Sequence, residues 1–122
     1  MSELEKVTLD ALTRKMSELY VSYRKQYVLS KPDGSIFIPK RKGDVPCVLT
    51  DRVLFNHLCQ KYAIAVFAGP RTSKFLCFDV DDGPADTVQA IIGCLTKFGF
   101  PKERIYVSFS GGKGYHVEMF FN

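Results

Sequence analysis

The chain has 122 residues, 46% of them hydrophobic, and a formal charge of +4, which allows one modest core and permits a polyanionic partner without requiring one. It has no apolar run of ~18 residues and no secretory leader, so a membrane span and secretion are set aside in favour of a cytoplasmic protein. Its four cysteines, Cys47, Cys59, Cys77 and Cys94, include no Cys-x-x-Cys pair, which excludes a zinc ribbon and reads as reduced thiols in packing positions.

Ser2-Glu3-Leu4-Glu5 has the spacing of a capping box, and Leu9, Leu12, Met16, Leu19, Tyr20, Tyr23 and Tyr27 follow at helical intervals, so a long amphipathic helix is expected. Its tyrosines can be read as a base-stacking ladder, but an apolar face packed on the core is the better account. Lys31-Pro32-Asp33-Gly34 has turn chemistry, and Ser35–Ile38 reads as a strand after it. Lys40-Arg41-Lys42-Gly43-Asp44 is a short basic loop, read as solvated surface with phosphate contact as the alternative.

Thr50 and Asp51 supply an N-cap and a first-turn acid for a short helix ending near Lys61, with His57 as a surface or packing histidine. Ala63–Ala68 is an apolar strand that the Gly69–Ser73 turn leads into Phe75–Asp82, and the two strands are expected to form an antiparallel hairpin. Beyond Asp82-Gly83-Pro84, Val88, Ile91, Ile92, Leu95 and Phe98 keep helical spacing until Gly99 and Pro101. Arg104–Ser110 and Tyr115–Phe121 then read as two strands around a tight Gly111-Gly112-Lys113-Gly114 loop.

Two motifs carry chemistry. Along Phe75–Asp82 the alternation of a strand places Phe75, Cys77, Asp79 and Asp81 on one face and Leu76, Phe78 and Val80 on the other. The Asp79 and Asp81 Cα atoms would then lie ~6.5–7 Å apart, within reach of a shared divalent cation or of one each of an adjacent pair. Alone, Asp-x-Asp is more readily a strand running into a polar turn, and the second motif reverses that balance. The second motif, Ser110-Gly111-Gly112-Lys113-Gly114-Tyr115-His116, lacks Walker A spacing. Its glycines still let backbone N–H groups approach an anion, Lys113 adds a point charge, and Ser110 and His116 add donors from the flanking strand ends. Together the motifs suit phosphoryl or nucleotidyl transfer, with carboxylates holding metal and the loop holding the triphosphate.

A hydrophobic strand ending in Asp-x-Asp, a helix, and Ser-Gly-x-x-Gly-x-His before an apolar strand resemble the archaeo-eukaryotic primase superfamily, which includes the polymerase domains of bacterial end-joining ligases. The upstream Leu49-Thr50-Asp51, the helix with His57 and the 63–68 strand are similar to primase-polymerases of bacterial conflict systems and mobile elements, so that the resemblance spans residues 47–121. It implies an α+β fold with an RRM-like, mostly antiparallel catalytic sheet, the chain being a single domain with a helix-and-hairpin lead-in over 1–46 and a primase-like core over 47–122. It implies that Asp79 and Asp81 ligate Mg²⁺ or Mn²⁺ and that Ser110, Gly111, Lys113, Gly114 and His116 contact the triphosphate. The implied partners are nucleoside triphosphates and a DNA template and primer, with no membrane, and a helicase or other replication domain elsewhere in a full-length protein. One departure stands out: the family's third acidic residue lies on a later strand, and this chain stops at Asn122. Glu118 is the nearby substitute. The expectation is an N-terminal portion of a catalytic domain, weak or inactive by itself. A non-catalytic module that binds nucleotide or single-stranded nucleic acid is the chief rival, and a metal-dependent nuclease a third reading.

Overall fold

The computed structural model describes residues 1–81 and 85–121, so the Asp82-Gly83-Pro84 turn and its helix-starting proline lie outside the described residues. The fold is α+β, and the chain divides into two compact units, Met1–Lys74 and Phe75–Asn122. Among the described residues no helix is long and apolar enough to cross a membrane.

In the first unit, helix α1 (Glu3–Tyr20) opens on the expected capping box: Ser2 Oγ accepts from the Glu5 N–H at 3.1 Å, and Glu5 Oε2 accepts from the Ser2 N–H at 2.7 Å. The helix ends sooner than the spacing of its tyrosines suggests. Val21 is extended and buried, and Tyr27 belongs to strand β1 (Tyr27–Ser30), where it shares a face with Leu29 at the two-residue period of a strand. A helical interval continued by chance into a strand.

Strand β1 lies between β2 (Ile36–Phe37) and β5 (Ala63–Val66), antiparallel to both. Lys40–Arg41 (β3) and Val45–Pro46 (β4) form a small hairpin, closed by a 3.2 Å ion pair between Lys40 and Asp44. The 63–68 strand, expected to form a hairpin with the Asp79 strand, pairs with β1, and the Asp79 strand pairs with β8. In that register Tyr27 faces Val66 and Leu29 faces Ile64, so the apolar alternation of both strands enters one core.

Helix α2 (Asp51–Leu58) starts where Thr50 Oγ1 accepts from the Val53 N–H and gives way to Gln60 in the left-handed region, φ 62°. His57 Nδ1 donates to the Tyr62 carbonyl at 3.1 Å, a packing role as expected. The core gathers Val21, Tyr27, Leu29, Leu49 and Leu54. Arg24 ties it together from the side. Its guanidinium donates to the Leu49 carbonyl (2.7 Å), Ser17 Oγ (2.6 Å) and Asp51 Oδ1 (3.0 Å), and its own carbonyl accepts from the Leu49 N–H.

The second unit runs β6 (Phe75–Val80), α3 (Ala85–Lys97), a short 3-10 turn (Lys102–Arg104), β7 (Ile105–Phe109) and β8 (Tyr115–Phe120). The sheet order is β6-β8-β7 with β8 antiparallel to both neighbours, so β6 and β7 are parallel and the last strand lies between them. This is a split β-α-β, the strand order that an RRM-like sheet requires. Val88 and Leu95 of α3, with Ile91 and Ile92, pack against Val80, Val117 and Met119 on one face. Burying each such side chain is worth roughly 1.5–3 kcal/mol. Phe98, expected to continue that stripe, is 83% exposed. The helix has already ended at Lys97, and Gly99 turns the chain at φ 92°.

Candidate functional site

Because successive strand residues point to opposite faces, the core at Val80, Val117 and Met119 fixes what lies on the other side of the sheet. Across β6 and β8, Phe75 pairs with Phe120, Cys77 with Glu118 and Asp79 with His116. Across β7 and β8, Tyr106 pairs with Glu118 and Ser108 with His116. All eight side chains belong to the sheet face away from α3.

The face has a polar end and an aromatic end. At the polar end His116 Nε2 is 3.5 Å from Asp79 Oδ1, their side chains 36% and 58% exposed. Ser108 is the residue opposite His116 on β7. At the other end Phe120 lies 6.1 Å from Phe75 and 5.7 Å from Tyr106, ring centre to ring centre, and Tyr106 is 55% exposed. Cys77 and Glu118 lie between the two ends.

The glycine-rich loop joins the polar end through its backbone. Ser110 N–H donates to the Gly114 carbonyl at 3.1 Å and closes the hairpin. Gly114 is buried, and a Cβ there would collide with the Val80 carbonyl oxygen and lie 3.2 Å from Ser110 Oγ. The close approach of loop to strand end therefore demands glycine at 114. Gly111 answers a different need, with φ at 91°. Gly112 answers neither, since it has open space around it and an ordinary φ. Lys113 is exposed and, among the described residues, makes no ion pair.

Of the residues singled out from the sequence, Asp79, Ser110, Gly111, Lys113, Gly114 and His116 thus gather around one end of one sheet. Asp81 is placed less firmly. The strand ends at Val80, so no ladder pair holds Asp81, an exposed residue, on the face of Asp79. Two exposed carboxylates offer hard oxygen donors and room for retained water, a donor chemistry that fits Mg²⁺ or Mn²⁺. Glu118 lies on the same face as His116, as the alternation predicted.

Cys77 departs from its expected role as a packing thiol. Cys47 does pack against the first core. Cys77 instead faces the acids, and its thiol is held above its ordinary pKa first by burial and then by the charges of Glu118 and Asp79. The signal was its two-residue offset from Asp79, which puts both on one face. Ser108 was missed in the same way, two residues before Ser110. No family model matches this chain, and neither a curated protein nor a solved structure matches it.

Proposed function

We propose that the polar end of this sheet binds a nucleoside triphosphate with Mg²⁺ or Mn²⁺ and serves nucleotidyl transfer of the primase-polymerase kind on a DNA template and primer. The observation that carries the reading is the pairing of Asp79 with His116 together with the contact of Gly114 on Val80, which brings an acid-tipped strand and a glycine-lysine-histidine loop to one place.

Asp79 and Asp81 would hold the cation. When bound, it supplies Lewis-acid charge that offsets the phosphates and makes an attacking hydroxyl more acidic. Lys113 offers the phosphates a point charge, and the exposed backbone at Gly111 and Gly112 admits close approach of an anion. Ser110 and His116 add hydrogen-bond donors from the two strand ends, and the Asp79 carboxylate orients the His116 ring. The protein positions and neutralises, which is most of what phosphoryl transfer asks of it.

Calorimetric titration with Mn²⁺ and a nucleoside triphosphate, against the matching nucleoside, tests the assignment. Lys113→Ala and His116→Ala should each weaken triphosphate binding about tenfold to a hundredfold, the worth of a charge-assisted hydrogen bond at ~1.5–3 kcal/mol, and leave the nucleoside unaffected. Equal losses for both ligands would overturn it.

The aromatic end favours a second reading, a non-catalytic module that holds nucleotide or single-stranded nucleic acid. Phe75, Tyr106 and Phe120 form a platform on the same face, and a base stacked on an aromatic ring gains about 1–3 kcal/mol. Metal-dependent incorporation of labelled nucleotide on a primed template supports the first reading; oligonucleotide binding that persists in chelator, is lost in Tyr106→Ala and comes without incorporation supports the second.

A further inference from the structure

We propose that Cys77, His116 and Glu118 form a binding site for a borderline-soft divalent transition-metal ion of the zinc class, distinct in donor chemistry from the Asp79 and Asp81 carboxylates. One ligand atom from each of the three lies within 4.8 Å of the other two. In a tetrahedral zinc site, bonds of about 2.3 Å to sulfur and 2.0–2.2 Å to nitrogen and oxygen set ligand atoms ~3.3–3.6 Å apart. The three therefore need close by no more than about 1.5 Å, a movement within the reach of side-chain rotation.

The backbone holds the donors in place. Cys77 and Glu118 are direct cross-strand partners, and His116 is two residues from Glu118 on the central strand. Each is half-buried, which limits its freedom and leaves the ion a path from solvent. Donors on adjacent paired strands are held more firmly than donors on loops.

Donor chemistry selects the ion. A thiolate with an imidazole favours zinc-class metals over magnesium or manganese, which prefer an all-oxygen set. Three protein ligands leave a fourth position for water or another donor. Asp79 Oδ1, 3.5 Å from His116 Nε2, is placed either to take that position or to accept a hydrogen bond from the ligating ring. Packing offers no competing account of Cys77, because the core of this unit lies on the opposite face, at Val80, Val117 and Met119. The site shares His116 with the triphosphate assignment, and because it needs no nucleotide, metal titration without one reads it separately.

The test uses the whole chain, reduced and stripped with chelator, titrated with Co²⁺ alone and then with Zn²⁺. Co²⁺ should give a thiolate-to-cobalt charge-transfer band that saturates at one ion per chain. Zn²⁺ should abolish the band, and excess Mg²⁺ should leave it. Cys77→Ser should remove it, and Glu118→Gln and His116→Gln should each weaken Co²⁺ binding by more than about tenfold. A triple variant with Cys47, Cys59 and Cys94 changed to serine should keep it. Circular dichroism confirms that each variant is folded. Absence of the band in the folded wild-type chain, its survival in Cys77→Ser, or its loss in a folded triple variant would overturn the proposal.

Discussion

The two units use their charged side chains differently. In Met1–Lys74 they serve the fold: Arg24 joins Ser17, Leu49 and Asp51, Lys40 meets Asp44, and Lys15 meets Glu18. In Phe75–Asn122 the polar groups Asp79, Ser108, His116 and Glu118 collect on the sheet face opposite the core, and Lys113 stands exposed in the adjoining loop. The first unit spreads its charges over caps and crossings. The second also gathers polar side chains on the sheet face away from its core, where they do no packing, which is why the functional reading rests there.

The comparison can be broken or sharpened by substitution. The largest effect is expected in the first unit, where Leu54 is fully buried. Leu54→Ala should cost about 2–5 kcal/mol in urea unfolding, and a cost below ~1 kcal/mol would show that this core is not what holds the unit. Next comes Gly114→Ala. Its added Cβ meets backbone oxygen, so overpacking of roughly 1–3 kcal/mol is expected, together with weakened triphosphate binding as the loop shifts. A fully stable variant would mean that the loop does not rest on Val80.

Smaller stability effects are expected where function rather than folding is at stake. Asp79→Asn should leave unfolding free energy within ~0.5 kcal/mol, since the exposed Asp79–His116 pair is weak, yet should lower Mn²⁺ affinity measured by calorimetry. A large stability loss would place Asp79 with the structural charges of the first unit. Gly112→Ala sharpens the contrast most, because the fold asks nothing of that glycine. Stability should again change by less than ~0.5 kcal/mol, while triphosphate affinity falls if the backbone there approaches phosphate. Unchanged affinity would leave Gly112 without a role.

Much of this was legible in the residues because it depended on local rules. The capping box at Ser2 and Glu5, the Thr50 cap, and the turn at Gly111–Gly114 are short-range chemistry, and all three occur as expected. Period-two alternation likewise placed Asp79 opposite the core. Strand partnership was not legible. Nothing near Ala63–Val66 says that β1, more than thirty residues earlier, is its mate, because that depends on matching two apolar faces at a distance. The end of α1 is hidden for a related reason: Tyr23 and Tyr27 fit a helical interval, but the buried Tyr27 belongs to a strand. For Cys77, residue type outweighed position. A thiol in an apolar run suggested packing, although its parity already placed it among the acids.

The central position of β8 has a consequence for how this unit can change. Residues 115, 117 and 119 point toward the helix and residues 116, 118 and 120 toward the open face, so one strand carries two separable alphabets. Substitutions on the even positions can exchange one chemistry for another beneath an undisturbed core. Insertion or deletion of a single residue would do the opposite, turning His116 and Glu118 inward and Val117 outward at once. The unit is therefore open to new ligands by point substitution and closed to change in length along this strand, with the tight seat of Gly114 on Val80 acting as the stop that sets the count.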